Sequence, residues 1–267
     1  MRTRGRTARR CAGAALLGLA AAAATAADKD EIVTDRPDFV ESSNVVGKGR
    51  FQVETSVALE RSERDGVRER LVSTPTLLRF GIGDTLELRV ETDGRLRARV
   101  SEGGAATTTS GYADTSVGVK WHARDAIDGA PSLGVLAHLD LDSGSRPFRA
   151  PGKGGSLRLA AEWELADDWS LGVMPGLTWQ QDDAGARYVG GVFGVVLGKE
   201  WNDGLRSFVE LSAPQIARGR HGGTAASIDV GLAWLPTPTV QLDTAIARGL
   251  NRRTADLSWT VGLSLKF

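Results

Sequence analysis

From Phe51 to Phe267 apolar and polar positions alternate in blocks of about ten residues, separated by turn-forming residues. In the last block Leu257, Trp259, Val261, Leu263, Leu265 and Phe267 share one face, and Asp256, Ser258, Thr260, Gly262, Ser264 and Lys266 share the other. Successive side chains of a strand point to opposite sides, so each block reads as a strand with one apolar and one polar or small face. Ten blocks show this clearly: 51–60, 85–92, 113–122, 132–142, 155–165, 169–179, 204–212, 224–234, 239–247 and 256–267. Val72–Gly81 and Ala186–Gly198 follow it less cleanly, which makes twelve.

A soluble β-sandwich also alternates, but three features count against one. The connections differ in length by parity. Loops at Arg61–Arg70 and Asp93–Tyr112 alternate with tight turns at Ile82-Gly83-Asp84, Ala166-Asp167-Asp168 and Pro236-Thr237-Pro238. Aromatics fall at block ends: Phe51, Phe80, Trp121, Trp163, Trp169, Trp234 and Phe267 at one rim, and Trp179, Tyr188 and Trp259 at the other. The polar faces carry charge in mid-strand, which a water-filled lumen tolerates and a packed core does not. The expected fold is all-β, a closed antiparallel transmembrane β-barrel of about 12 strands over residues 50–267. Pro75 and Pro175 fall inside strands, where bulges are expected to accommodate them.

Two segments precede the barrel. Met1–Arg10 carries five arginines and no acid, and the apolar run Ala12–Ala24 leads to Ala24-Thr25-Ala26. This is the layout of a cleaved secretory signal peptide over residues 1–27. Its removal takes the single cysteine, Cys11, and turns a net charge of zero into five excess acids. A cysteine-free, mildly acidic chain needs no disulfide and gives no reason to expect nucleic acid. Residues 28–49 lack the strand pattern and form either a periplasmic extension or a segment folded into the lumen.

The stretch Thr34-Asp35-Arg36-Pro37-Asp38-Phe39-Val40-Glu41-Ser42, followed by Gly47-Lys48-Gly49, is distinctive. So is Ser73-Thr74-Pro75-Thr76-Leu77-Leu78-Arg79-Phe80-Gly81-Ile82-Gly83-Asp84, with weaker matches at Gly111–Asp114, Leu242-Asp243 and Arg248–Asn251. Together these resemble the bacterial outer-membrane family labelled "transporter" or MetA-pathway of phenol degradation, over about Thr34 to Phe267. The resemblance implies an outer-membrane barrel and, loosely, an aromatic or hydrophobic solute. It also implies that the strand ending at Phe267 is read by the barrel-assembly machinery. Leu265-Lys266-Phe267 departs from the family in lacking an aromatic just before the terminal Phe.

No phosphate-binding loop is legible, and no cofactor is expected. His138, Asp140 and Asp142 form a row on one strand, about 7 Å apart, too spread to hold a metal without partners such as Glu162 and Glu164. They read as a cation or acid–base site, or as plain lumen wall. Arg79, Glu87, Arg89, Glu91 and Lys120 form a mixed-charge ladder, either a selective constriction or ion pairs filling a narrow barrel. Glu54, Arg158, Glu162, Glu210, Asp229 and Asp243 extend this polar lining. Small inward residues (Ser56, Gly118, Gly134, Gly172, Gly176, Gly231, Gly262) leave room. Basic loop residues, among them Arg146, Lys153 and Arg220, either meet lipopolysaccharide phosphates or are solvated charge.

The leading expectation is passive passage of a small solute through an outer-membrane barrel, with lipid and lipopolysaccharide as surroundings. Asp35, Arg36 and Asp38 are the candidate gate. A barrel with a blocked lumen and an outer-membrane hydrolase using His122 or His138 are the alternatives.

Overall fold

The computed structural model describes residues 31–267, so the expected signal peptide lies outside the described residues. Fifteen strands follow one another. They are β1 (Phe51–Arg64), β2 (Val67–Ser73), β3 (Thr76–Gly81), β4 (Leu86–Thr92), β5 (Arg95–Glu102), β6 (Ala105–Tyr112), β7 (Thr115–Arg124) and β8 (Ser132–Leu141). The series continues with β9 (Gly154–Glu164), β10 (Trp169–Gln181), β11 (Arg187–Asn202), β12 (Leu205–Ile216), β13 (Ala225–Thr237), β14 (Val240–Gly249) and β15 (Leu257–Lys266).

Twelve of these paths close a barrel. β1 pairs with β3, then β4, β7 and β8 to β15 follow in order, each antiparallel to the last, and β15 returns to β1. The closing register sets Val57 against Val261 and Leu59 against Trp259. Closure leaves no unpaired edge around the ring, which a lipid-embedded sheet requires. The alternation assigns the faces. Leu88, Val119, Leu157, Leu177, Val209, Val230 and Val261 stand exposed on the outer wall. Trp121, Trp169, Trp234 and Phe267 project outward at the end carrying the chain terminus, and Trp179 and Trp259 at the other. An apolar band between aromatic rims matches a bilayer and its two interfaces.

Five expectations are corrected. Arg61–Arg70 and Asp93–Tyr112 are not loops. β1 runs on to Arg64 and turns through Asp65-Gly66, both at positive φ, and β5 and β6 form a second hairpin through Gly103-Gly104. Paired positive φ is the hairpin turn that suits strand twist, and Asp-Gly and Gly-Gly supply it. Here β1, β2, β5 and β6 make a ribbon beyond the barrel wall. Both its faces meet water, so no apolar alternation marked it. The wall and the ribbon part at Thr74-Pro75, Asp93-Gly94 and Ala113-Asp114, which lie side by side. There the N–H of Thr74 donates to the carbonyl of Asp93 and that of Ala113 to the carbonyl of Gly94.

Pro75 therefore sits in a strand break, and its carbonyl accepts from Ser56 N–H at 3.0 Å. Pro175 makes no bulge either. Its register with Phe193 is unbroken, and the β9 ladder merely resumes at Gly176–Arg158, so the missing N–H is absorbed without a shift. Tyr188 does not join the lipid-facing girdle. It lies on the inward parity of β11 and stacks on His221 at 4.4 Å.

Candidate functional site

The lumen is occupied. Residues 32–46 carry no strand and thread through it, and the inward side chains hold them from opposite walls. On one wall the alternation of β1, β3, β4, β7 and β9 turns Glu54, Arg79, Glu87, Arg89, Lys120 and Arg158 inward. Asp35 sits at their centre. Lys120 Nζ donates to its two carboxylate oxygens at 2.7 and 2.8 Å, Arg89 Nη1 to one of them at 2.6 Å, and Arg79 Nη1 lies at 3.3 Å. Glu41 bridges Arg89 and Arg158, the latter at 2.8 Å. Arg79 also pairs with Glu54 and Glu87, each at 2.9 Å, and donates to the carbonyls of Val33 and Asn44. Glu54 accepts the N–H of Asp35, and Glu87 that of Val46, both at 2.9 Å.

The facing wall, β12 to β14, is acidic toward the segment. Glu210 accepts the backbone N–H groups of Phe39 and Val40 at 2.8 and 2.7 Å, with Asp229 opposite it in register. Asp243 accepts from Arg36 at 3.1 Å. Arg206 grips both carboxylate oxygens of Asp38 at 3.0 and 3.1 Å. Glu162 on β9 takes the N–H of Ser43 at 2.6 Å. Val40 packs with Met174, Val196, Phe208 and Ala245, and Phe39 lies against that cluster.

The small inward residues make this possible. A Cβ on Gly134 would lie 2.8 Å from Ser43 backbone, one on Gly194 2.6 Å from Val40, and one on Gly262 2.8 Å from Arg36. The room expected for a solute is taken by the chain itself. At mid-lumen Gln52, Glu54, Arg79, Glu87, Lys120 and Ser264 are fully buried.

Of the expected ladder, Arg79, Glu87, Arg89 and Lys120 are brought together around Asp35, while Glu91 lies off it beside His138, and Arg36 and Asp38 bind the facing wall through Asp243 and Arg206. The row on β8 is not brought together. His138 is buried, neither ring nitrogen makes a hydrogen bond, and its nearest carboxylate is Glu91 at 3.8 Å. Asp140 is half-buried one inward position on, and Asp142 lies past the strand end, exposed. Among the described residues no three ligands converge for a metal. His122 is spent on structure, its Nδ1 3.0 Å from the Ser43 carbonyl and its Nε2 3.0 Å from Asp125. Sequence reasoning missed Glu41 and Arg206 as contact residues. Glu41 lay in a segment without periodicity, and Arg206 near a strand end, where a charge reads as solvated.

Two contacts fasten the outer rim. Asp256 accepts from Arg64 Nη1 at 2.6 Å and from Glu63 N–H at 2.7 Å, and these bonds hold its carboxyl below its ordinary value. Asp182, held low by the Ala186 N–H and then by His221, ties the β10–β11 turn to the loop after β12.

A closed antiparallel barrel with an apolar outer band and a polar, charged interior is an outer-membrane β-barrel. Residues 34–267 match the family described as "Putative MetA-pathway of phenol degradation", and the chain belongs to that family. Comparison with curated protein sequences gives no match. Among solved structures the chain is similar to an outer-membrane channel from Pseudomonas putida F1, with TM-score 0.61 and 16% identity, over 87% of this chain and 99% of that one. It is also similar to the KdgM porin in complex with disordered oligogalacturonate, with TM-score 0.52 and 10% identity, over 81% and 99%. The transport unit of the autotransporter AIDA-I from Escherichia coli gives TM-score 0.51 and 12% identity, over 92% and 97%. At such identities the likeness is one of fold, and the fold serves a channel, a porin and an autotransporter alike.

Proposed function

We propose that this protein is a passive channel of the bacterial outer membrane, closed at rest by its own residues 32–46 and opened when that segment is displaced. The observation that carries this is the nature of the anchoring. The segment is held by hydrogen bonds, ion pairs and one small apolar cluster, contacts that a solute and water can replace. Asp35, Arg36 and Asp38 are its gate contacts, on opposite walls, and the Arg79–Glu87–Arg89–Lys120 ladder is the selective wall. The solute is small, and the family description points to aromatic compounds. The reading also takes residues 1–27 as a cleaved export signal and the strand ending at Phe267 as the assembly signal. Lipopolysaccharide phosphates meet the basic outer loops, and the protein performs no catalysis.

The test is conductance of the refolded full chain in a planar bilayer, beside an Arg36→Ala/Asp38→Ala variant and the single variants Arg89→Ala and Glu87→Ala. The double variant opens more often, and the single variants shift ion selectivity. A second reading, a barrel with a permanently blocked lumen, draws on the complete burial of mid-lumen side chains. A silent bilayer with inserted protein, for all four chains, favours it.

A further inference from the structure

All three protons of Lys120 are spent on the segment, two on Asp35 and one on the carbonyl of Ser42 at 2.7 Å. Arg158 gives its one ion pair to Glu41 of the segment. Around these two, Arg79 and Arg89 pair with the wall acids Glu54 and Glu87. Within ion-pair distance the four wall cations meet two wall carboxylates, and Asp35 and Glu41 supply the other two negative charges. Glu91, further along β4, lies nearest His138 instead. If the segment leaves, a buried ammonium and a guanidinium lose the carboxylates that touch them, which is costly in a confined lumen. An anion that takes their place removes that cost.

The apolar contacts lie close by. Arg158 stands opposite Gly176 in the β9–β10 register, and the next inward position on β10 is Met174. Successive inward positions are about 7 Å apart, roughly the length of a small ring. Met174, Val196 and Phe208 are the residues that Val40 packs among and Phe39 lies against. The segment thus presents carboxylates to a basic wall and apolar side chains to an apolar patch one residue further on.

Building on the channel reading, we infer that residues 35–41 are a tethered stand-in for the solute, and that the solute is a small organic anion with a carboxylate on an apolar body. The carboxylate takes the place of Glu41 on Arg89 and Arg158. The body takes the place of Val40 and Phe39.

The experiment uses the full chain in lipid vesicles, carrying Cys11→Ser and Ser43→Cys, at a position fully buried while the segment is seated. Ser43 holds Glu162 and His122 through its backbone N–H and carbonyl, and its side chain meets only the Ser132 hydroxyl, so the near-isosteric thiol leaves the main contacts in place. The rate of labelling by N-ethylmaleimide reports release of the segment. Benzoate, neutral benzamide and acetate are compared at equal ionic strength. Benzoate raises the rate about tenfold, the worth of one charge-assisted hydrogen bond, acetate raises it less, and benzamide leaves it unchanged. Arg89→Gln with Arg158→Gln loses the benzoate effect, even if its basal rate rises.

Equal action by benzamide removes the need for a carboxylate, and equal action by acetate removes the apolar body. No response to any of the three overturns the stand-in role as well. Rapid labelling with no additive means that the segment is not seated, which overturns the gate itself. Release by benzoate without any bilayer current overturns the channel reading and leaves the anion site standing.

Discussion

Lys120 Nζ lies 2.7 and 2.8 Å from the two carboxylate oxygens of Asp35, and both side chains are buried inside the barrel. Eighty-five positions apart in sequence, they tie a strandless segment to the wall. Removing one partner of such a pair strands the other in a place with little water.

Lys120→Met tests that tie. Loss of one partner of a buried ion pair costs about 3–5 kcal/mol. The cost falls on the seated segment, because the barrel's ladder bonds are untouched. Amide hydrogen exchange at Ser42, whose N–H donates to Asp35 at 2.9 Å, is expected to speed up. Strand amides of β7 keep their protection. Unchanged exchange at Ser42 would mean that the other anchors hold the segment alone.

Gly134→Leu addresses the room beneath the segment. Its Cβ would meet Ser43 Cα and O at 2.8 Å, backbone atoms that cannot swing aside. Ser43 is expected to lift away from Glu162, exposing position 43 to a thiol reagent in the Ser43→Cys chain. The barrel's heat-modifiable mobility on a gel stays as it was. Slow labelling in the double variant contradicts the close approach.

Val261→Arg places a charge on the outer wall, between Val57 and Thr244 in register. A charge at the middle of a bilayer-facing strand costs about 2–4 kcal/mol. Denaturant titration in lipid vesicles is expected to show that loss, and Ser264→Ala on the same strand does not, because that side chain points inward and its hydroxyl makes no hydrogen bond. An unchanged midpoint for Val261→Arg would remove this face from the membrane.

The Asp256 latch at the outer rim has a defined pH dependence. Its folded carboxyl lies below the ordinary value of 3.8, because Arg64 and the Glu63 N–H favour the charged form. A depressed carboxylate contributes stability that is fully present above the unfolded value and is lost as pH falls through the folded one. The loop between β14 and β15 stays pinned to the β1 end through mildly acid conditions and frees only below about 3.8. Carboxyl NMR titration of Asp256 measures this directly, and release near pH 5 refutes it.

The barrel was legible in the chain because its governing constraint is local. A strand between lipid and lumen must alternate, and blocks such as Leu257–Phe267 record this residue by residue. The aromatic rims and the charged inner ladder followed from the same parity. The β1–β2–β5–β6 ribbon was not legible, since water on both faces leaves no period to read; only Asp65-Gly66 and Gly103-Gly104 marked its turns. The destination of residues 32–46 lay beyond any pattern. Their partners are Arg79, Arg89, Lys120, Glu210 and Asp243, scattered over five strands, and nothing in the segment's own sequence names them. Alternation determined which side chains face inward. Closure of the barrel decided which of them meet, because a long-range ion pair depends on where the ring brings two distant positions and not on the residues beside them in the chain.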